Sequence, residues 1–189
     1  LGFDTVDANH VGVKSKFGKL QGLQQEGMQW TGLFVDIHQY SKMTRPFTIE
    51  MNGVEGAATK DGQTVTARIK GNWKIKPNAV EEIYRNVGVD KGDNIYNTLN
   101  IEGRLKHGFK SVISKYDNGL DILEARDEVK EKAVEAMKNQ FPNEYAELEF
   151  IVVDNIAYTT EFQAALDGKK TTEQLALKAE EEKKITQAE

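Results

Sequence analysis

The sequence predicts an α+β protein: an antiparallel, β-rich N-terminal half, then a half of helices plus a strand, then a long final helix. Three observations carry this. Val65, Ala67, Ile69, Gly71, Trp73 and Ile75 alternate with polar residues, the period-two pattern of a strand with one wet face. From Pro77 onward the apolar spacing changes to three and four, the helical period. After Phe141-Pro142, Leu148, Phe150 and Val152 alternate again, backed by Ile151 and Val153.

Taken in order, Val11 and Val13, with Lys14–Phe17, form a first extended run that Gly18 ends. The segment Gly22–Gly32 is punctuated by glycine and reads as a loop whose bulky apolar residues are Leu23, Met28 and Trp30. Leu33, Phe34, Val35 and Ile37 make the next extended run, and Phe47, Ile49 and Met51 alternate in another. Asp61-Gly62 signals a tight two-residue hairpin turn into the long strand.

Ala79, Val80, Ile83 and Val87 predict a short helix with Gly88 just past its end. A longer helix is expected to carry Ile95, Leu99, Ile101, Leu105, Phe109, Val112, Ile113 and Tyr116, with tight packing or a kink at Gly103 and Gly108. Asn118-Gly119 breaks it. A third helix runs from near Asp121 to Gln140, with Ile122, Val129, Ala133, Ala136 and Met137 inward. Thr160 with Gln163 resembles a capping box that opens the final helix. The chain therefore divides into 1–76, 77–159 and 160–189.

The final helix starts with Phe162 and Leu166 and continues with little apolar content beyond Leu175, Leu177 and Ile185. Alone in water such a helix is marginal. It is either a frayed polar tail or an oligomerisation helix, with Phe162, Leu166, Leu175 and Ile185 as its contacts, that continues as a coiled coil beyond Glu189.

Composition narrows the function classes. Net charge is -5, against a general nucleic-acid binder, and there is no cysteine for thiolate metal sites or a thiol nucleophile. His10, His38 and His107 lack metal-ligand spacing, and neither a phosphate-binding glycine loop nor a nucleophile elbow occurs. No catalytic, cofactor or metal residue is assigned. Arg104, Lys106, His107, Lys110 and Lys115 read as the wet face of a helix whose inward stripe is Leu105, Phe109 and Val112, so no nucleic-acid partner is expected. Met28, Trp30, Leu33 and Phe34 are the candidate site. Trp and Phe suit a membrane interface, and Trp30 and Phe34 equally suit a plug at one end of the β core.

A series of motifs adds to this reading. Asn9-His10-Val11-Gly12-Val13 followed by Phe17-Gly18-Lys19, then Thr44-Arg45-Pro46, resemble the opening strands of the SPFH/band-7 family (stomatin, prohibitin, flotillin, HflK-HflC). Thr59-Lys60-Asp61-Gly62-Gln63-Thr64-Val65, Trp73-Lys74-Ile75-Lys76-Pro77 and Ile83-Tyr84-Arg85-Asn86-Val87-Gly88 are similar to its later signposts, the last in the prohibitin form. Ala125-Arg126-Asp127-Glu128-Val129, Asp154-Asn155-Ile156 and Glu161-Phe162-Gln163-Ala164-Ala165 complete the series. Gly168 and the proline-free Gly27–Leu33 depart from the pattern.

The resemblance implies a non-catalytic, membrane-associated scaffold of prohibitin type. In such proteins the domain assembles with itself or a paired homologue into rings or cages, contacts membrane lipid, and organises membrane proteins. The alternative it implies is an adaptor or regulator of a membrane-bound FtsH-type AAA protease without cage formation. The chain begins with Leu1 rather than Met, so an anchor is expected upstream of it.

Overall fold

The computed structural model describes residues 2–89, 94–158, 164, 168, 171, 172 and 174–179. Nine strands are formed among these: β1 (Phe3–Val6), β2 (His10–Lys16), β3 (Lys19–Gln24), β4 (Gly27–Trp30), β5 (Val35–Ser41), β6 (Arg45–Met51), β7 (Ala57–Ala58), β8 (Thr64–Ile75) and β9 (Ala146–Tyr158). The helices are α1 (Val80–Asn86), α2 (Ile95–Thr98), α3 (Ile101–Ile113), α4 (Gly119–Glu124) and α5 (Arg126–Gln140). All strand pairs are antiparallel, in a ribbon of β1 and β4, a sheet ordered β3-β2-β5, and a larger sheet in which β8 pairs with β6, β7 and β9.

The large sheet is built on β8. Its predicted inward set, Val65, Ala67, Ile69, Gly71, Trp73 and Ile75, is buried, as are Phe47, Ile49 and Met51 of β6. The helices α3 and α5 pack together, and their inward residues Leu105, Phe109, Val129, Ala133 and Met137 join the same core. Val11, Val13 and Tyr40 extend that core into the small sheet, and the Tyr40 hydroxyl donates to the Gly88 carbonyl at 2.7 Å. The outer face of the large sheet is a lattice of ion pairs: Arg68–Glu50 at 2.8 Å, Lys70–Asp154 at 2.8 Å and Lys74–Glu149 at 2.6 Å. Hydrogen bonds from Lys74 and Thr44 hold the Glu149 carboxyl below its ordinary range.

Five expectations are corrected. The glycine-punctuated segment Gly22–Gly32 is mostly strand, because β3 continues to Gln24 and Gly27–Trp30 finds a partner in β1 at the far N-terminus. The hairpin turn is longer than two residues: Thr59 N–H donates to the Gln63 carbonyl at 3.0 Å, which leaves Lys60, Asp61 and Gly62 in the loop. Only Gly62, at φ +82°, takes the left-handed conformation that a two-residue turn asks of both its residues.

The long helix is two helices, α2 and α3, separated at Asn100 (φ +50°). The third helix is likewise split at Ala125, and its first part is capped by Asn118, whose side chain accepts from the Leu120 and Asp121 amides. Finally, β9 turns Phe150 and Val152 outward and buries Ala146, Ile151, Val153 and Ile156. Its register against β8 slips at Asn72/Trp73 and at Arg68/Ile69, and each slip leaves one extra residue on β9, Glu149 and Asp154, which resets the alternation.

Candidate functional site

The small sheet and the ribbon form an up-and-down arrangement with short connections. β1 begins at Phe3, β2 ends just before Phe17, β4 ends at Trp30, and β5 begins just after Phe34. Antiparallel pairing of β2 with β3 and β5 puts Phe17 and Phe34 at one end of the small sheet, and pairing of β1 with β4 puts Phe3 and Trp30 at one end of the ribbon. At these ends the exposures are Phe3 60%, Phe17 79%, Trp30 61%, Leu33 59% and Phe34 73%, with Met28 at 71% one pleat back on β4.

Local chemistry holds these ends in shape. Phe3 stands opposite Trp30 in the ribbon, and their rings meet edge to face at 4.9 Å. Thr5 stands opposite Met28, so Phe3, Met28 and Trp30 share one face of the ribbon. The Thr31 amide donates to the Gly2 carbonyl at 2.8 Å and its hydroxyl to Asp4 Oδ2 at 2.5 Å, which ties the strand ends together. Only Thr31–Phe34 connect the ribbon to β5, a reach of about 18 Å at most from Trp30 to Val35.

Across the gap, Phe17 and Phe34 stack with ring centroids 5.8 Å apart. Both sit in the left-handed region, at φ +49° and +63°. A bulky residue there is a true outlier, and such strain concentrates where a side chain is held for a purpose. Here two strained residues present their rings to solvent.

Of the site residues expected from the sequence, Met28 and Trp30 lie on β4, while Leu33 and Phe34 lie in the connection to β5. The four are brought to one region, and neither Trp30 nor Phe34 plugs the β core. Phe3 and Phe17 were missed as members. Phe17 had a readable signal, an aromatic residue directly before a turn glycine in an otherwise polar hairpin, whereas Phe3 had none without its pairing to Trp30. On the final helix, Leu175 and Leu177 are both 62% exposed within the helical stretch 174–179. Phe162, Leu166 and Ile185, and the expected capping pair Thr160 and Gln163, lie outside the described residues.

Elsewhere, His38 stacks on Tyr84 at 5.2 Å and contacts the Ser15 hydroxyl at 3.2 Å, as a packed core-edge histidine does. Lys106, within the basic stretch of α3, is paired with Glu102 at 2.7 Å and Glu55 at 3.1 Å. Among the described residues no helix is long and apolar enough to cross a membrane.

Fold and surface together define an α+β domain whose N-terminal strands carry exposed aromatic and apolar side chains. The family model of the SPFH domain / Band 7 family matches residues 4–189, and the chain belongs to that family. Its members are generally membrane-associated, non-catalytic scaffolds. No curated protein matches the sequence.

Proposed function

We propose that this chain is a membrane-associated scaffold domain of prohibitin type that meets the bilayer through its aromatic end and assembles with further copies through the final helix. The observation that carries the reading is that six large apolar side chains of the β-rich segment are more than half exposed, in two groups, Phe3, Met28 and Trp30 on the ribbon and Phe17, Leu33 and Phe34 at the tip of the small sheet, joined by the short connection Thr31–Phe34. Soluble proteins rarely leave large apolar patches exposed without a partner. Aromatic side chains on a rigid β frame suit the headgroup boundary, where an apolar body meets a wet layer. In this reading 1–76 is the membrane-proximal part, 77–159 supports it, and 160–189 joins neighbours into a ring or cage.

The test is Trp30→Glu in a liposome co-sedimentation assay, with thermal unfolding measured in parallel. Binding should fall while the melting temperature stays near that of the parent, because Trp30 is 61% exposed. A large drop in stability would instead make Trp30 a structural residue and remove the central support.

Assembly is tested separately. The exposed Leu175 would be covered by a neighbouring helix in an oligomer. Cutting the chain after Ala165 should leave a folded monomer, and equal particle sizes for the two proteins would count against ring assembly through this helix. Discrete small complexes in membrane extracts would favour the adaptor role toward an FtsH-type protease.

A further inference from the structure

The hairpin that presents Phe17 carries a second feature, and it is electrostatic. In β2, Val11, Val13 and Ser15 are buried toward the core, so alternation puts Lys14 and Lys16 on the opposite face. Across the β2–β3 turn Lys19 stands directly opposite Lys16, and across β2–β5 Val35 and Ile37 stand opposite Lys16 and Lys14. Asp36 pairs with Ser15 and so lies on the other face. Lys14, Lys16 and Lys19 therefore share one face that has no carboxylate from the three strands at this end.

Gly12 lies on that face too, where an added Cβ would stand 2.6 Å from Val6 Cγ2, so the ribbon strand β1 is packed directly against it. The lysine face thus adjoins the ribbon that bears Phe3, Met28 and Trp30.

These lysines differ from half of the other described lysines. Lys42, Lys60, Lys70, Lys74, Lys106 and Lys132 all have carboxylate partners within 3.5 Å. Lys14, Lys16 and Lys19 form no ion pair among the described residues, in a chain whose net charge is -5. Like charges directly opposite each other on neighbouring strands are destabilising. One hairpin thus combines a strained aromatic tip, an exposed ring stack and an uncompensated trio of cations. A surface with an apolar interior beneath an anionic layer relieves all three. An acidic groove on a protein would neutralise the lysines yet leave the exposed rings in water.

We propose that Lys14, Lys16 and Lys19 form an anionic-lipid recognition site, in which the Phe17–Phe34 tip enters the headgroup boundary and the lysines bind lipid phosphates beside it. The proposal rests on the membrane reading above and adds the class of lipid. A lysine near an anionic leaflet contributes about five-fold in affinity, so three contribute on the order of 100-fold. The contribution decays within a Debye length, about 8 Å at physiological salt.

The experiment uses the full chain and two sets of vesicles, phosphatidylcholine alone and phosphatidylcholine mixed with phosphatidylglycerol. At low salt the mixed vesicles should bind on the order of 100-fold more tightly, and high salt should erase the difference. The triple variant Lys14→Gln, Lys16→Gln, Lys19→Gln should lose that preference, keep the binding to neutral vesicles, and melt no lower than the parent. The charge-matched control Lys110→Gln, Lys130→Gln, Lys138→Gln should keep it. Equal binding to both vesicles, or equal loss in the two triple variants, overturns the lysine site while leaving membrane contact standing. Binding to neither vesicle overturns the membrane reading and this proposal with it.

Discussion

Substituting Gly108 by Ala tests the packing that supports the whole scaffold. On helix propensity alone the change should stabilise α3 by about 1 kcal/mol. Tertiary geometry opposes this. A Cβ at position 108 would lie 2.8 Å from Met137 Cα and 3.0 Å from the Ala136 carbonyl oxygen, both backbone atoms of α5. Carbon atoms rest at about 3.5–4.0 Å, so the two helices would have to separate by roughly 1 Å. A gap of that size forfeits a quarter to a half of each contact across the interface, where Leu105, Phe109, Val129, Ala133 and Met137 meet. Overpacking of this kind costs about 1–3 kcal/mol.

Gly103→Ala is the matched control on the same helix. It gains the same propensity, and its Cβ meets the Asn100 side-chain amide, which can swing aside. The two variants should therefore differ by about 1–3 kcal/mol. For a chain of this size each kcal/mol is worth about 2–4 °C, so Gly108→Ala should melt roughly 2–12 °C below Gly103→Ala in a thermal scan followed by circular dichroism. Equal melting temperatures would show that α3 and α5 are not held at backbone contact, and the reasoning would fail.

Two further outcomes are expected. Phe34→Asn should leave stability within about 0.5 kcal/mol of the parent or raise it, because Asn tolerates the left-handed conformation and the ring is 73% exposed. The buried Phe109, replaced by Ala, should cost about 3–5 kcal/mol; urea denaturation of both checks the contrast, and a comparable loss at Phe34 would mean that its ring is structural. In an alkaline titration followed by tyrosinate absorbance, Tyr96 and Tyr158 should ionise above the ordinary tyrosine range, since burial pushes both up to about 12. The folded state then holds these protons more tightly than the unfolded chain, so this stability is complete below pH 10 and is lost as pH rises through about 12. Ionisation of every tyrosine together near pH 10 would contradict it.

Much of the fold was legible because it obeys a single period. The strand β8 alternates without interruption over twelve residues with one face on the core, so its burial follows from the sequence. The same holds for β6 and for α1 with its closing Gly88. The helix break at Ala125 was hidden because the stripe of Ile122, Val129, Ala133 and Met137 continues in phase across it, and a stripe records the direction of the core rather than the continuity of the backbone; the break at Asn100 shows in the sequence only as the two-residue step from Leu99 to Ile101. In β9 the pattern misled outright. Phe150 and Val152 look inward by alternation, and the extra residues at Glu149 and Asp154 turn them outward.

The candidate site divides along the same line. Sequence alone determined that Met28, Trp30, Leu33 and Phe34 are large apolar residues in a glycine-flanked stretch, and that the chain follows the order of SPFH/band-7 signposts. It also determined the long wet-faced strand on which the large sheet is built. Only the tertiary structure decided that Phe3 and Phe17 join those four, that three lysines line the face beside them, and that the rings stay in solvent. The physical reason is that periodicity encodes contact with the protein's own core, which dominates the free energy of folding. A surface built for something outside the chain arises from pairings between remote strands and from left-handed residues at their ends, and no local period records either.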